Sequence, residues 1–359
     1  MQKIITICGT RPEWIRLSII IKKLDLLLGT NHILVHTGQN YDPNLSDIFF
    51  KELEIRQPNY FMNARGSFGE QIGIIMKETE KILNITKPDK MLILGDTNTD
   101  LSGYIAERLQ IPVYHMEAGN RAYDKELPEE INRKLIDHIS SYNFPYTQRS
   151  RENLLREGIN PQTIYVSGNP IWEVISYYKH EINNRQILNT LKLTKQNYIL
   201  VTLHRSNNVD NLERFEQILN GLNLIANTGI ELIVSTHPRT GDKLNQINIK
   251  LNNNIKFLEP FGFFDFIKLE KNAKCILTDS GTVQEEACIL RIPCVVIRKS
   301  TERPETIECE ATILAGTETQ NILNSYKYAI KMNTNWQIPE EYLYTNVSDR
   351  MINYLIGGI

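Results

Sequence analysis

The chain has 359 residues, with 40 Lys plus Arg against 42 Asp plus Glu, giving a net charge of −2. That length is too great for one ordinary core and predicts two domains. A hydrophobic content of 41% and a charged content of 23% suit a globular protein, and no long basic run favours nucleic acid or an anionic membrane as partner.

Five cysteines (Cys8, Cys275, Cys288, Cys294 and Cys309) are odd in number and lack CxxC pairs. They read as small buried hydrophobes in a reducing compartment, not as a disulfide frame or zinc site. The opening MQKIITICGT carries about five apolar residues before a turn, too few for a signal peptide. No apolar run approaches the ~20 residues of a membrane span. The expectation is a cytoplasmic protein.

From the N-terminus, short apolar runs alternate with helical patterns. The candidate strands are Lys3–Cys8, Asn31–Thr37, Lys90–Leu94, Pro112–Met116, Asn197–Leu203, Glu231–Ser235, Ile255–Leu258, Cys275–Thr278 and Pro293–Ile297. Helices are expected at Trp14–Leu28, Phe68–Leu83, Thr99–Leu109, Glu129–Tyr142 and Leu212–Ala226. This alternation specifies parallel sheets flanked by helices. The turn cluster Ser167–Pro170 predicts a boundary between a first domain, 1–168, and a second, 169–346. Two doubly wound, Rossmann-like α/β domains facing a cleft would suit a nucleotide-linked substrate.

The densest chemistry lies between Gly95 and Arg133, in GDTNTD, HMEAGNR and LPEEINR. It gathers Asp96, His115, Glu117, Arg121, Glu129, Glu130 and Arg133 at strand ends, and such carboxylates suggest proton transfer on a nucleotide sugar. Pro128 and the two following glutamates suit a helix start. Glu129 and Arg133, and Glu130 and Lys134, sit four apart, while Ile131, Leu135 and Ile139 form an apolar stripe. An ordinary amphipathic helix with surface ion pairs fits the same spacing.

Other motifs admit similar alternatives. In GTRPEWIR, Arg11 and Arg16 can donate to phosphate, or the segment is a plain strand-to-helix turn. It is neither G-x-G-x-x-G nor a P-loop, so neither nicotinamide nor ATP is indicated, and no cofactor is expected. His204 and His237 each follow an apolar strand, without the spacing of a zinc site. LTDSGTVQEEACIL is the sharpest local signal. A strand ends at Asp279, Ser280, Gly281 and Thr282 make a turn, and a helix begins near Val283. Free N–H groups there, with the Ser280 and Thr282 hydroxyls, form a natural anion site, and Glu286 lies one turn further on.

Taken in order, GTRPE, TGQ, GDT, MEAG, PEEINR, HR, DSG-x-QEEA and TERPE resemble the non-hydrolysing UDP-N-acetylglucosamine 2-epimerases. The resemblance runs from Gly9 to Glu305 and implies a two-domain GT-B-like fold, a homodimer, and no nicotinamide or metal. It also implies inversion at C2 of a UDP-2-acetamido sugar, UDP-GlcNAc to UDP-ManNAc, for cell-surface polysaccharide precursors. The reaction would eliminate UDP to a 2-acetamidoglucal and add it back from the other face. Carried across, Asp96, Glu117 and Glu129 become acid–base candidates, with His204 near the reacting centre. Arg11, Arg16, Arg133, Ser280, Gly281, Thr282 and Arg303 would hold diphosphate or sugar, Glu286 the ribose, and Phe266 would lie by the uracil. The segment Val347–Ile359 would return to the first domain.

The chain departs from the family pattern at Arg16 (usually Lys), at Thr282 (usually Gly) and at Ser206–Asn208 (SNN for REN). After TGQ it reads NYDPNLSDIFF instead of a His-Arg-Glu pattern tied to allosteric activation by UDP-GlcNAc, which leaves that regulation open. MEAGNR, PEEINRKLIDH and LLREG resemble instead the branch that acts on UDP-2-acetamido-2,6-dideoxy-L-talose to make UDP-N-acetyl-L-fucosamine. A GT-B glycosyltransferase and an inactive nucleotide-sugar sensor are the rivals from other classes.

Overall fold

A computed structural model of the chain describes residues 2–39 and 49–357. Most of the NYDPNLSDIFF segment lies outside the described residues.

The chain divides into two compact units, Met1–Ser176 with Glu340–Ile359, and Tyr177–Pro339. The first unit holds a parallel sheet of β1 (Ile4–Cys8), β2 (His32–His36), β3 (Tyr60–Phe61), β4 (Lys90–Leu94), β5 (Val113–Met116) and β6 (Tyr142–Phe144). Its strand order is β3-β2-β1-β4-β5-β6. The second holds β7 (Tyr198–Leu203), β8 (Glu231–Thr236), β9 (Ile255–Leu258), β10 (Cys275–Thr278), β11 (Cys294–Val296) and β12 (Thr312–Leu314), in the order β12-β11-β10-β7-β8-β9. Each is the doubly wound order in which the chain starts in the middle of the sheet and reverses direction there.

The apolar runs become strands because helices cover both faces of a parallel sheet. Every residue of β1, β4 and β7 is buried. In the second unit one face of the sheet packs Val201, Leu203, Val234 and Leu277 against the 212–226 and 319–329 helices. The other packs Leu200, Ile233, Ile276 and Val296 against Leu269, Val283 and Ala287. Each such side chain stabilises the fold by about 1.5–3 kcal/mol relative to its exposed state. Three strands have no counterpart among the sequence candidates: β3, β6 and β12. They are two or three residues long and belong to the outer edges of their sheets, too short to carry a period.

The unit boundary falls after Ser176, not at the Ser167–Pro170 turn. That turn is woven into the first unit: Ser167 N–H donates to Pro145 O at 3.0 Å and Asn169 N–H to Glu341 O at 2.9 Å. Glu173 then accepts Ser348 N–H at 2.8 Å, so the 171–176 segment and the returning C-terminal stretch hold one another. The final helix, Val347–Ile356, packs on the Arg11–Leu28 helix, and Lys90 Nζ donates to Gly357 O at 2.7 Å. No described helix is long and apolar enough to cross a membrane.

Candidate active site

In both sheets the reversal point separates the first and fourth strands of the unit, and the candidate residues flank it. In the first unit, Gly9–Arg16 follows β1 and Gly95–Asp96 follows β4. In the second, His204–Arg205 follows β7 and Asp279–Gly281 follows β10. Open α/β sheets bind ligands at such points because loops diverge there and leave backbone N–H groups unpaired.

Glu13 joins the two loops of the first unit. Its Oε2 accepts Gly9 N–H at 2.6 Å, while Oε1 accepts the Thr10 hydroxyl at 2.7 Å and the Thr97 hydroxyl at 3.0 Å. Oε2 also accepts the Thr10 amide at 3.3 Å, which caps the Arg11–Leu28 helix, whose first turn contains Pro12. Burial raises the Glu13 carboxyl to about 7, against the opposing pull of those hydrogen bonds. Asp100, fully buried nearby, is likewise pushed well above the usual carboxylate range by burial and by the charges of Glu13 and Asp96.

Asp96 and Glu117 each carry an arginine. Arg133 Nε donates to Asp96 Oδ2 at 2.8 Å, and its Nη1 holds Glu130 at 2.9 Å. Arg16 Nη1 donates to Glu117 Oε2, with both side chains buried and the guanidinium over the Tyr146 ring. Paired in this way, a buried carboxylate keeps its charge without an uncompensated desolvation cost. Glu117 also adopts φ +66°, a left-handed conformation that costs a non-glycine residue roughly 1–2 kcal/mol. Gly119, at φ +78°, follows; a Cβ there would strike the Ser150 carbonyl. Strain of this kind tends to be retained where a side chain must be aimed.

The 128–139 helix reverses the ordinary amphipathic reading. Its apolar stripe is turned outward: Ile131 and Leu135 are exposed, and Ile139 is half-buried. Its charged side is inside, with Glu130, Arg133 and Asp137 all buried alongside Ile136. Glu130 is thus no surface ion-pair partner. It accepts the Ala122 and Tyr123 amides at 3.0 and 3.2 Å and fixes the loop before the helix. Glu129 is half-buried at the helix start. Arg11, also half-buried, stacks 4.3 Å over the Phe49 ring.

In the second unit Asp279, fully buried, organises the site. It accepts the His204 amide at 3.1 Å, the Arg205 amide at 3.0 Å and Asn208 Nδ2 at 3.2 Å, which fastens the loop after β7 to the end of β10. His204 Nδ1 also lies 3.4 Å from Asp279, while its ring is 40% exposed. The helix Gly281–Leu290 starts immediately after. Ser280 at its N-cap makes no capping hydrogen bond, and Ser280 and Thr282 are half-buried. Gly281 has no room for a side chain: a Cβ would stand 2.5 Å from Glu302 Oε1. Glu302 in turn holds Arg298 at 2.6 Å and Arg205 at 3.2 Å, and Arg303 is paired with buried Glu285. Glu286 is buried in the same helix.

Phe266 is packed in the core among Tyr198, Leu200 and Leu269, with 7% of its surface exposed. The groups that motif reading passed over are Glu13, Asp100, Asp137, Asn208, Glu285 and Glu302. Each acts through a partner distant in the chain, which local motif spacing does not register. No group of three or more metal-ligating side chains occurs among the described residues.

The family model described as UDP-N-acetylglucosamine 2-epimerase matches residues 24–356. The UDP-N-acetylglucosamine 2-epimerase of Methanocaldococcus jannaschii is 44% identical over 349 residues, covering 94% of this chain and 95% of that one. The UDP-2,3-diacetamido-2,3-dideoxy-D-glucuronate 2-epimerase of Pseudomonas aeruginosa is 33% identical over 92% of each chain. Among solved structures, the Methanocaldococcus jannaschii UDP-GlcNAc 2-epimerase in complex with UDP-GlcNAc and UDP superposes with a TM-score of 0.94 at 41% identity, covering 99% of this chain and 100% of that one. Two doubly wound units of this kind define a GT-B-like α/β protein. The chain belongs to the UDP-N-acetylglucosamine 2-epimerase family, and it is an isomerase.

Proposed function

We propose that the protein inverts C2 of a UDP-2-acetamido sugar, interconverting UDP-GlcNAc and UDP-ManNAc without a cofactor. The observation that carries this reading is the pair of carboxylates at adjacent strand ends, Asp96 after β4 and Glu117 after β5, each held by its own arginine. Removing the weakly acidic C2 proton requires a positioned base, and epimerisation requires a second acid–base group for the opposite face. Asp96, Glu117 and Glu129 fill those roles. UDP leaves from C1 to give a 2-acetamidoglucal, and its return with protonation from the other side completes the inversion.

The second unit supplies the nucleotide end. Ser280, Gly281 and Thr282 present the helix N–H groups to the diphosphate, with Arg303 adding charge, Glu286 accepting from the ribose and Phe266 backing the uracil from within the core. His204 serves the reacting centre, and Arg11, Arg16 and Arg133 stabilise negative charge on the sugar and diphosphate. The match to a diacetamido-glucuronate 2-epimerase illustrates that the family accommodates different sugars around one C2 reaction. The wording of MEAGNR and PEEINRKLIDH keeps UDP-2-acetamido-2,6-dideoxy-L-talose as the alternative substrate.

The outward stripe of Ile131 and Leu135, with Tyr104 exposed on the neighbouring helix, supports a homodimer in which a second copy covers this face. Five free cysteines, four of them buried, support a reducing cytoplasmic setting. The test is incubation with UDP-GlcNAc in deuterated water. Deuterium at C2 together with the mannosamine epimer supports the reading. Exchange only with the 6-deoxytalose sugar selects the alternative, and inertness with both despite UDP binding overturns epimerisation.

A further inference from the structure

His115 lies on β5, buried, one strand from the Asp96 turn. Its Nε2 is 2.8 Å from the carbonyl of Gly95, and its Nδ1 is 3.0 Å from Asp137 Oδ1. A carbonyl oxygen only accepts, so Nε2 carries a proton. Asp137 is held as a carboxylate by Arg121 Nη2 at 2.8 Å and by the Gly119 amide at 3.1 Å. A bare ring lone pair 3.0 Å from that carboxylate oxygen in a buried site would be repelled, so Nδ1 carries a proton too. The Nδ1 approach is bent, so charge attraction holds it more than a linear hydrogen bond does.

We infer that His115 is a positioning residue: a permanently charged imidazolium that clamps the turn bearing Asp96 to the turn bearing Glu117. One arm of the clamp is the Gly95 carbonyl, next to Asp96. The other runs through Asp137 to Gly119, two residues past Glu117, and through Arg121 to Glu157, bonded at 2.8 and 2.6 Å. Burial favours the neutral ring, but Asp137 and the Gly95 carbonyl outweigh it and raise the imidazole above its ordinary value. The groups that face the ring are the Asp137 carboxylate, the Gly95 carbonyl and the Asn143 side chain, with Arg121 behind Asp137. The ring's role is therefore to fix the separation of two acid–base groups, and it rests on the assignment of Asp96 and Glu117 to that chemistry.

Histidine-selective 15N labelling of the full-length protein gives the first readout, since the chain has seven histidines. The expected result is one histidine with both ring nitrogens protonated from about pH 6 to about pH 8, lost in Asp137→Asn. A neutral ring for His115 at about pH 7 overturns the inference. The second readout is kinetic. His115→Gln should lower kcat on the order of 100-fold through misplacement of Asp96, with KM and UDP affinity changed by less than about threefold. Equal loss of UDP affinity, or unchanged kcat, overturns the positioning role. Should the wild-type protein fail to epimerise any UDP-2-acetamido sugar, the functional reading falls, while the nitrogen spectrum still decides the charge on His115. If His115→Gln does not fold, the wild-type spectrum and Asp137→Asn carry the test.

Discussion

Glu13 Oε1 accepts the Thr97 hydroxyl at 3.0 Å, so one buried carboxyl spans the reversal point of the first sheet. Its folded-state value of about 7 lies above the ordinary 4.5. Stability from such a group is fully present below about pH 4.5 and is lost as pH rises through about 7, because the buried acid must then ionise. Glutamine can keep these contacts, since both threonine hydroxyls can accept from its amide. Glu13→Gln should therefore gain about 2–3 kcal/mol on the wild type between about pH 5 and pH 8. Urea unfolding at the two pH values measures it, and parallel changes in both proteins would show that Glu13 does not titrate in this window.

Asp279 accepts three donors from the loop after β7, two of them backbone amides. In Asp279→Asn the one remaining oxygen can keep the donors of Oδ2, but the NH2 in the Oδ1 place then meets the His204 amide donor to donor, at a cost of about 1–3 kcal/mol. The loop bearing His204 and Arg205 should then loosen, and UDP affinity should fall at least about tenfold. Calorimetric titration with UDP decides the point; undiminished affinity would confine Asp279 to a structural role.

Gly281→Ala sets two effects against each other. Alanine in a helix is favoured over glycine by roughly 0.5–1 kcal/mol. Against that stands overpacking on Glu302, whose carboxylate is fixed by Arg298 and Arg205 and cannot retreat cheaply, at about 1–3 kcal/mol. The expected outcome is a lower Tm and weaker UDP binding. A higher Tm would mean that Glu302 moves freely.

Cys309 is the one half-buried cysteine, and its Sγ lies 3.7 Å from that of Cys288. The Cys288 thiol donating to it brings Cys309 down to about 7, while burial keeps Cys275 at about 12. Limited iodoacetamide treatment followed by peptide mass spectrometry should find Cys309 modified first. Prior labelling of any other cysteine contradicts this ordering.

The strands that flank the reversal points were legible in the sequence because parallel strands buried on both faces read as unbroken apolar runs, as in Ile4–Cys8 and Tyr198–Leu203. The loops after them were legible because Gly, Asp, Ser, Thr or His breaks each apolar run. The edge strands Tyr60–Phe61, Tyr142–Phe144 and Thr312–Leu314 were not, since so few residues hold no periodicity. The 128–139 helix misleads for a different reason. The Ile131, Leu135, Ile139 spacing ordinarily marks the buried face, but here Asp96, Ala122 and Gly119 satisfy the charged face from positions up to 37 residues away. Periodicity registers amphipathy, not the direction in which a helix is turned.

Because Glu340–Ile359 completes the first unit, that unit is discontinuous in the chain and the second is an insertion within it. A ribosome making this protein releases the whole of the second unit before the strip that fastens Glu173 and Lys90. The second unit therefore has all of its residues before the first has its own. A chain ending just before residue 340 would keep residues 177–339 whole and lack the strip that closes the earliest-made unit.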